Sequence, residues 1–141
     1  MILIDTNVIS EPWRPAPDPG VLAWIDAQAI ETLYLSTITV AELRFGIAVM
    51  PSGKRRTTLH DRLERDVLPL FEGRIVPFDL DASQAYADLM ARAKTAGKAI
   101  GKADGYIAAT AAVRGFTIAT RDTRPFEAAG LNILNPWETQ Q

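Results

Sequence analysis

The chain opens on four apolar residues, Met1–Ile4, closed by Asp5. A run that is apolar without alternation predicts a strand covered on both faces, as in a parallel sheet. Thr6 and Asn7 then offer cap chemistry for a short helix through Ser10. Pro12, Pro15, Pro17 and Pro19 predict a loop over residues 12–19. Val21, Leu22, Trp24 and Ile25 fall at helical spacing, and Leu33–Leu35 makes a second short strand. Thr39 opens a helix that carries Val40, Leu43, Ile47 and Met50. After a turn at Pro51-Ser52-Gly53, Leu59, Leu63, Val67 and Leu70 share one face of a long amphipathic helix whose other face is charged.

Ile75, Val76 and Phe78 predict a third strand, ended by Asp79. A helix from about Asp81 carries Ala85, Tyr86, Leu89 and Met90 and stops at Gly97. Residues 102–114 are alanine-rich and helical, Thr117–Thr120 is a fourth strand, and Asn132–Leu134 a last one. Strands alternating with helices predict a single α/β domain over residues 1–141, a sandwich with a mainly parallel central sheet. Sites in such sheets lie beyond the carboxyl ends of the strands. Asp5, Asp79 and Asp122 all stand just past such an end.

Composition narrows the chemistry. With no cysteine and one histidine in 141 residues, disulfides, iron–sulfur clusters, thiol nucleophiles and ordinary zinc sites are excluded, as is a Ser–His–Asp triad. His60 lies in a charged helical stretch and reads as a surface residue. No apolar run approaches the roughly 20 residues that span a bilayer, and the N-terminus has neither the basic segment nor the cleavage site of a signal peptide, so a cytoplasmic, membrane-free protein is expected. The net charge of −2 gives no general attraction for polyanions. Any nucleic-acid partner must find its cations locally.

Each acid has a bland reading. Asp5 can begin a turn or cap the short helix, Glu42 completes a capping box with Thr39, Asp104 suits the start of a helix, and Asp122-Thr123-Arg124-Pro125 makes a turn or cap. Asp79 and Asp81 read as a turn and helix cap, although spacing alone leaves them competitors for the site. Context favours the functional reading for the first four. Asp104 stands on a helix of small apolar residues, where an unpaired acid is costly. Acids gathered at one rim raise one another's pKa unless a cation intervenes. All-oxygen ligands suit Mg²⁺ or Mn²⁺, and such an ion can activate water against a phosphodiester. Lys94, Lys98 and Lys102 lie close to Asp104 in sequence, and Arg121 and Arg124 flank Asp122; if the two segments meet, cations rim the acids. Gly97-Lys98-Ala99-Ile100-Gly101-Lys102 imitates a phosphate-binding loop, but it is one residue short, has no following Ser or Thr, and does not follow a strand.

Ile4-Asp5-Thr6-Asn7-Val8-Ile9-Ser10, Ile38-Thr39-Val40-Ala41-Glu42-Leu43, Ala103-Asp104 with Ile107-Ala108-Ala109, and Ala119-Thr120-Arg121-Asp122 occur in that order. Together they resemble the PIN-domain toxins of bacterial toxin–antitoxin pairs, the VapC type, nearly end to end. Ser10-Glu11-Pro12, Asp104–Thr110 and Asn135-Pro136-Trp137 are most similar to the FitB subgroup. The resemblance implies a three-layer α/β/α sandwich and a Mg²⁺-dependent RNA endonuclease. It assigns Asp5, Glu42, Asp104 and Asp122 to the metal, with Thr120 as the supporting hydroxyl and Thr6 and Asn7 as the usual residues after the first aspartate. Lys98, Lys102 and Arg121 are candidates to touch substrate. The resemblance further implies a homodimer silenced by a cognate antitoxin, with DNA bound only through that antitoxin. A fifth acidic or amide position, common in the family a few residues after Asp122, is filled here by Thr123, Arg124 and Pro125. The alternative is a regulatory binding module, DNA-bound with its antitoxin, that contributes little catalysis.

Overall fold

A computed structural model describes residues 1–138. The strands β1 (Ile2–Ile4), β2 (Leu33–Ser36), β3 (Ile75–Val76), β4 (Thr117–Ala119) and β5 (Ile133–Leu134) form one sheet in the order β3-β2-β1-β4-β5. All four pairings are parallel, with Ile2 opposite both Leu33 and Thr117. Parallel neighbours need crossovers, and helices supply them: α1 (Thr6–Ile9), α2 (Pro19–Ala27), α3 (Thr37–Ala48), α4 (Lys54–Asp61), α5 (Leu80–Thr95), α6 (Lys102–Arg114) and α7 (Arg124–Ala128).

Successive strand residues point to opposite faces, so an unbroken apolar run needs cover on both. Leu3 and Ile118 pack with Leu89, Ile107, Ala108 and Phe126 from α5, α6 and α7. Ile4 and Ala119 pack on the other side with Val8, Val21, Leu35 and Phe71. The predicted three-layer sandwich is the observed one. A third cluster, Leu43, Ile47, Leu59 and Leu63, joins α3 to α4. No helix among the described residues is long and apolar enough to cross a membrane.

Several boundaries depart from the sequence reading. The cap of α3 is Ser36, whose buried Oγ accepts the Thr39 N–H at 2.9 Å, so Thr39 lies inside the helix and the Thr39–Glu42 capping box does not form. Of the caps the sequence offered for α1, the structure uses Asp5 and not Thr6 or Asn7. The predicted helix over 54–70 is interrupted: α4 passes into a wider π turn at Arg62–Val67 and then a tight 3-10 turn at Leu68–Phe71. Pro69 has no N–H to continue the α pattern, and the change of pitch buries Phe71 while leaving Leu70 57% exposed. Pro125 falls in the first turn of α7, a position that suits its fixed φ, where the sequence suggested a turn or cap and not a helix. In the proline-rich loop, Glu11–Trp13 is a 3-10 turn. Buried Glu11 anchors that loop, accepting the Asp18 N–H at 2.8 Å and an Arg14 N–H at 3.2 Å.

Two features place the site. The strand order reverses between β1 and β4, and the residues just beyond those two strands are Asp5 and Thr120. Gly105 lets α6 lie close to α5: a Cβ there would stand 2.8 Å from Met90 Sδ and 2.9 Å from a Tyr86 ring carbon. That approach fixes the first turn of α6, which carries Asp104.

Candidate metal and nucleic-acid site

Asp5 is buried at the switch point and held from three directions. Its backbone N–H donates to Ala119 O at 2.9 Å, which continues the β1–β4 pairing past the strand. Its Oδ1 accepts the Thr6 N–H at 2.8 Å, and its Oδ2 accepts the Thr120 hydroxyl at 2.8 Å. Thr120 Oγ1 also receives Asn7 Nδ2 at 3.3 Å and the Asp122 N–H at 3.1 Å. With two donors on its oxygen, the buried hydroxyl has one proton left to give, and Asp5 is the acceptor. Asn7 closes the loop, since its Oδ1 accepts the Arg121 N–H at 3.2 Å. This side-chain network ties the end of β1 to the end of β4.

The other acids arrive from neighbouring elements. Thr6 Oγ1 donates to Glu42 Oε1 at 2.7 Å, which brings the exposed Glu42 of α3 to the start of α1. Freedom from the capping box leaves Glu42 able to do this. Asp104 is half-buried in the first turn of α6, and Asp122 is exposed beyond β4. The charges of these acids bear on one another in pairs. Burial pushes the Asp5 carboxyl up from 3.8 to about 6; hydrogen bonds from Thr120 and Thr6 oppose this, and the charges of Asp104 and Glu42 add to it. Asp104 is likewise raised, first by burial and then by the charges of Asp122 and Glu42. None of the ion pairs among the described residues involves Asp5, Glu42, Asp104 or Asp122.

The donors are carboxylates and hydroxyls. Among the described residues no three acidic, histidine or cysteine side chains close around one point. Such a set fits an ion that takes one or two carboxylates directly and keeps several waters, the habit of Mg²⁺, better than a closed protein cage. His60 is exposed on α4 beside Asp61, as its sequence context suggested. Asp79 is the cap of α5, accepting the Ala82 N–H at 2.9 Å and pairing with Arg114 at 3.1 Å, so it competes no further for the site.

The flanking cations fall partly as expected. Lys98, after α5, and Arg124, at the start of α7, line one shallow hollow with Glu127, so the two segments do meet. Lys102 is exposed at the first position of α6. The Arg121 guanidinium carbon lies 5.1 Å from the centre of the Trp137 ring. The sequence offered no sign of that contact; the two residues are far apart in the chain, and only the carboxyl rim of the sheet joins them.

This arrangement has relatives. A family model described as PIN domain matches residues 2–131. The chain is 73% identical over 138 residues to the VapC ribonuclease Y4jK of Sinorhizobium fredii, covering 98% of this chain and 99% of that protein. It is 56% identical to the toxin FitB of Neisseria gonorrhoeae over 97% of this chain and 99% of the relative. The solved structure of FitAB bound to an IR36 DNA fragment superposes with a TM-score of 0.95 at 54% identity, covering 98% of this chain and 96% of the other. The chain belongs to the PIN-domain family and sits among its VapC and FitB members.

Proposed function

We propose that this protein is the toxin of a toxin–antitoxin pair, a metal-dependent endoribonuclease that hydrolyses RNA phosphodiesters with Mg²⁺ or Mn²⁺. The observation that carries the reading is a buried carboxylate without a cation partner among the described residues: Asp5 stands past the end of β1, held by the Thr120 hydroxyl and the Thr6 N–H, and the charges of Asp104 and Glu42 bear on it. A structural cap needs none of this; Asp79 performs that task in the open and its carboxyl is lowered, first by the Ala82 N–H. Asp5, Asp104 and Asp122 would hold the ion, directly or through its waters, with Glu42 as ligand or water-positioner. A bound divalent cation supplies an activated water and offsets the charge that builds on the attacked phosphate.

The remaining groups orient and attract. Thr120 fixes the rotamer of Asp5, and Thr6 fixes Glu42. Asn7 locks the Thr120–Arg121 backbone against the start of α1. Lys98, Lys102 and Arg121, joined by Arg124, supply the local positive potential that the net charge of −2 withholds. The toxin would act in the cytoplasm as a homodimer, neutralised by a small cognate antitoxin and touching DNA only through it; the solved FitAB–DNA complex supports the antitoxin and DNA part of this reading. Cleavage of cellular RNA by the partner-free protein, with metal and with EDTA, tests the reading.

The FitAB–DNA complex favours a second reading, a regulatory module that binds DNA with its antitoxin and catalyses little. Under that reading the acids dock a basic side chain, and folded, partner-free protein leaves RNA intact with every divalent ion tried.

A further inference from the structure

The rim holds one cation whose surroundings differ from those of an ordinary surface arginine. Arg121 stands between Thr120 and Asp122, yet among the described residues its guanidinium makes no ion pair and donates no hydrogen bond to protein; its neighbour is the face of Trp137. The distinction matters chemically. A carboxylate partner would consume the in-plane N–H donors, whereas an aromatic face fixes the plane of the guanidinium and leaves all five donors outward. Both ends of the pair are anchored. The Arg121 backbone N–H is held by Asn7 Oδ1, two hydrogen bonds away from Asp5 through Thr120. Trp137 packs against the buried cluster of Ile4, Val8 and Val21, and its backbone N–H donates to Asn135 Oδ1 at 2.9 Å.

We infer that Arg121 is a phosphate-gripping residue for the RNA substrate and that Trp137 is its positioning residue, holding the guanidinium flat so that it meets two oxygens of one phosphate. The inference rests on the RNA reading above and adds to it where the backbone runs: past the acids on the Arg121 side. An arginine already ordered by a ring loses little freedom when a phosphate arrives, and bidentate pairing suits its geometry.

The test is binding of a fluorescent single-stranded RNA twelve-mer to the intact protein in EDTA, where no cleavage occurs, as a function of salt. Arg121→Ala is expected to weaken binding by tenfold or more and to flatten the slope of log affinity against log salt by about 0.7, the value of one phosphate contact on a single strand. Trp137→Ala keeps the charge and is expected to weaken binding three- to tenfold, with Trp137→Phe recovering most of the loss and guarding against a folding defect. Above all, the Trp137→Ala loss should vanish in the Arg121→Ala background, since the ring acts through the guanidinium. Equal losses in both backgrounds, or unchanged binding by Arg121→Ala, overturn the inference. Metal-dependent cleavage by the same wild-type sample is read separately: binding that follows this pattern without cleavage sinks the nuclease reading alone, and cleavage with unchanged binding by Arg121→Ala sinks the Arg121 assignment alone.

Discussion

Asp5→Asn should make the metal-free protein more stable at alkaline pH while destroying its site. The Asp5 carboxyl titrates at about 6 when folded against 3.8 otherwise, with burial the leading cause. A carboxyl raised by folding favours the folded state where it is protonated. The benefit is complete below pH 3.8 and is lost as the pH rises through about 6. At pH 8 the folded protein therefore carries a buried charge that costs about 3 kcal/mol relative to the neutral acid, from 1.36 kcal/mol per pH unit of displacement. Asparagine removes that charge and keeps an acceptor for the Thr6 N–H. Its NH₂ would face Thr120 Oγ1, which already accepts from Asn7 and Asp122, and the poorer pairing returns about 1 kcal/mol. The variant should be stabler than wild type by about 2 kcal/mol at pH 8 in EDTA, and the advantage should disappear or reverse by about pH 4. Urea unfolding followed by tryptophan fluorescence measures the difference at each pH. An Asp5→Asn protein no stabler than wild type at pH 8, or stabler by the same amount at pH 4, would refute the claim that Asp5 is a strained charge.

Four further outcomes follow from the same geometry. Thr120→Val removes a hydroxyl that serves two donors and one acceptor and should cost about 2–3 kcal/mol in urea unfolding. The same variant strips Asp5 of the hydrogen bond that lowers its pKa, so the acid limb of the cleavage profile should move to higher pH. Mg²⁺ at ten times its dissociation constant should stabilise wild type by about 1.4 kcal/mol and leave Asp104→Asn unmoved, as thermal melts with and without the ion will show. Gly105→Ala drives a methyl into Met90 and into Tyr86, whose ring is stacked on Tyr106 at 4.7 Å; after the helix-propensity gain it should still destabilise by about 1–2 kcal/mol, and a stability equal to wild type would mean that α5 and α6 can part freely.

The sandwich was legible because its signals are local. Apolar runs ending at Asp5 and at Thr120 mark buried parallel strands, and the helices between them carry their own periodicity. Asp5, Asp104 and Asp122 stood out for a similar reason, each past a strand end or in the first turn of a small-residue helix. The caps misled, because Ser36 and Thr39 are both good cap residues and the sequence does not say which one leaves the helix. Only the bond from Thr6 brings the glutamate to the start of α1, beside Asp5. The π turn after α4 and the helix at Arg124–Ala128 depend on how Phe71 and Phe126 find the core, a tertiary choice that overrides local pattern. The Arg121–Trp137 contact lay furthest from view, since it exists only where β4 and β5 end side by side.

The central claim is that Asp5, Glu42, Asp104 and Asp122 form one metal-dependent catalytic centre. Its most direct test is cleavage of total cellular RNA by purified, antitoxin-free protein in Mg²⁺, Mn²⁺ and EDTA, beside Asp5→Asn and Asp104→Asn shown to be folded. Cleavage that requires the ion and is lost in both variants is the expected result. Cleavage that persists in EDTA, or in either variant, would contradict it.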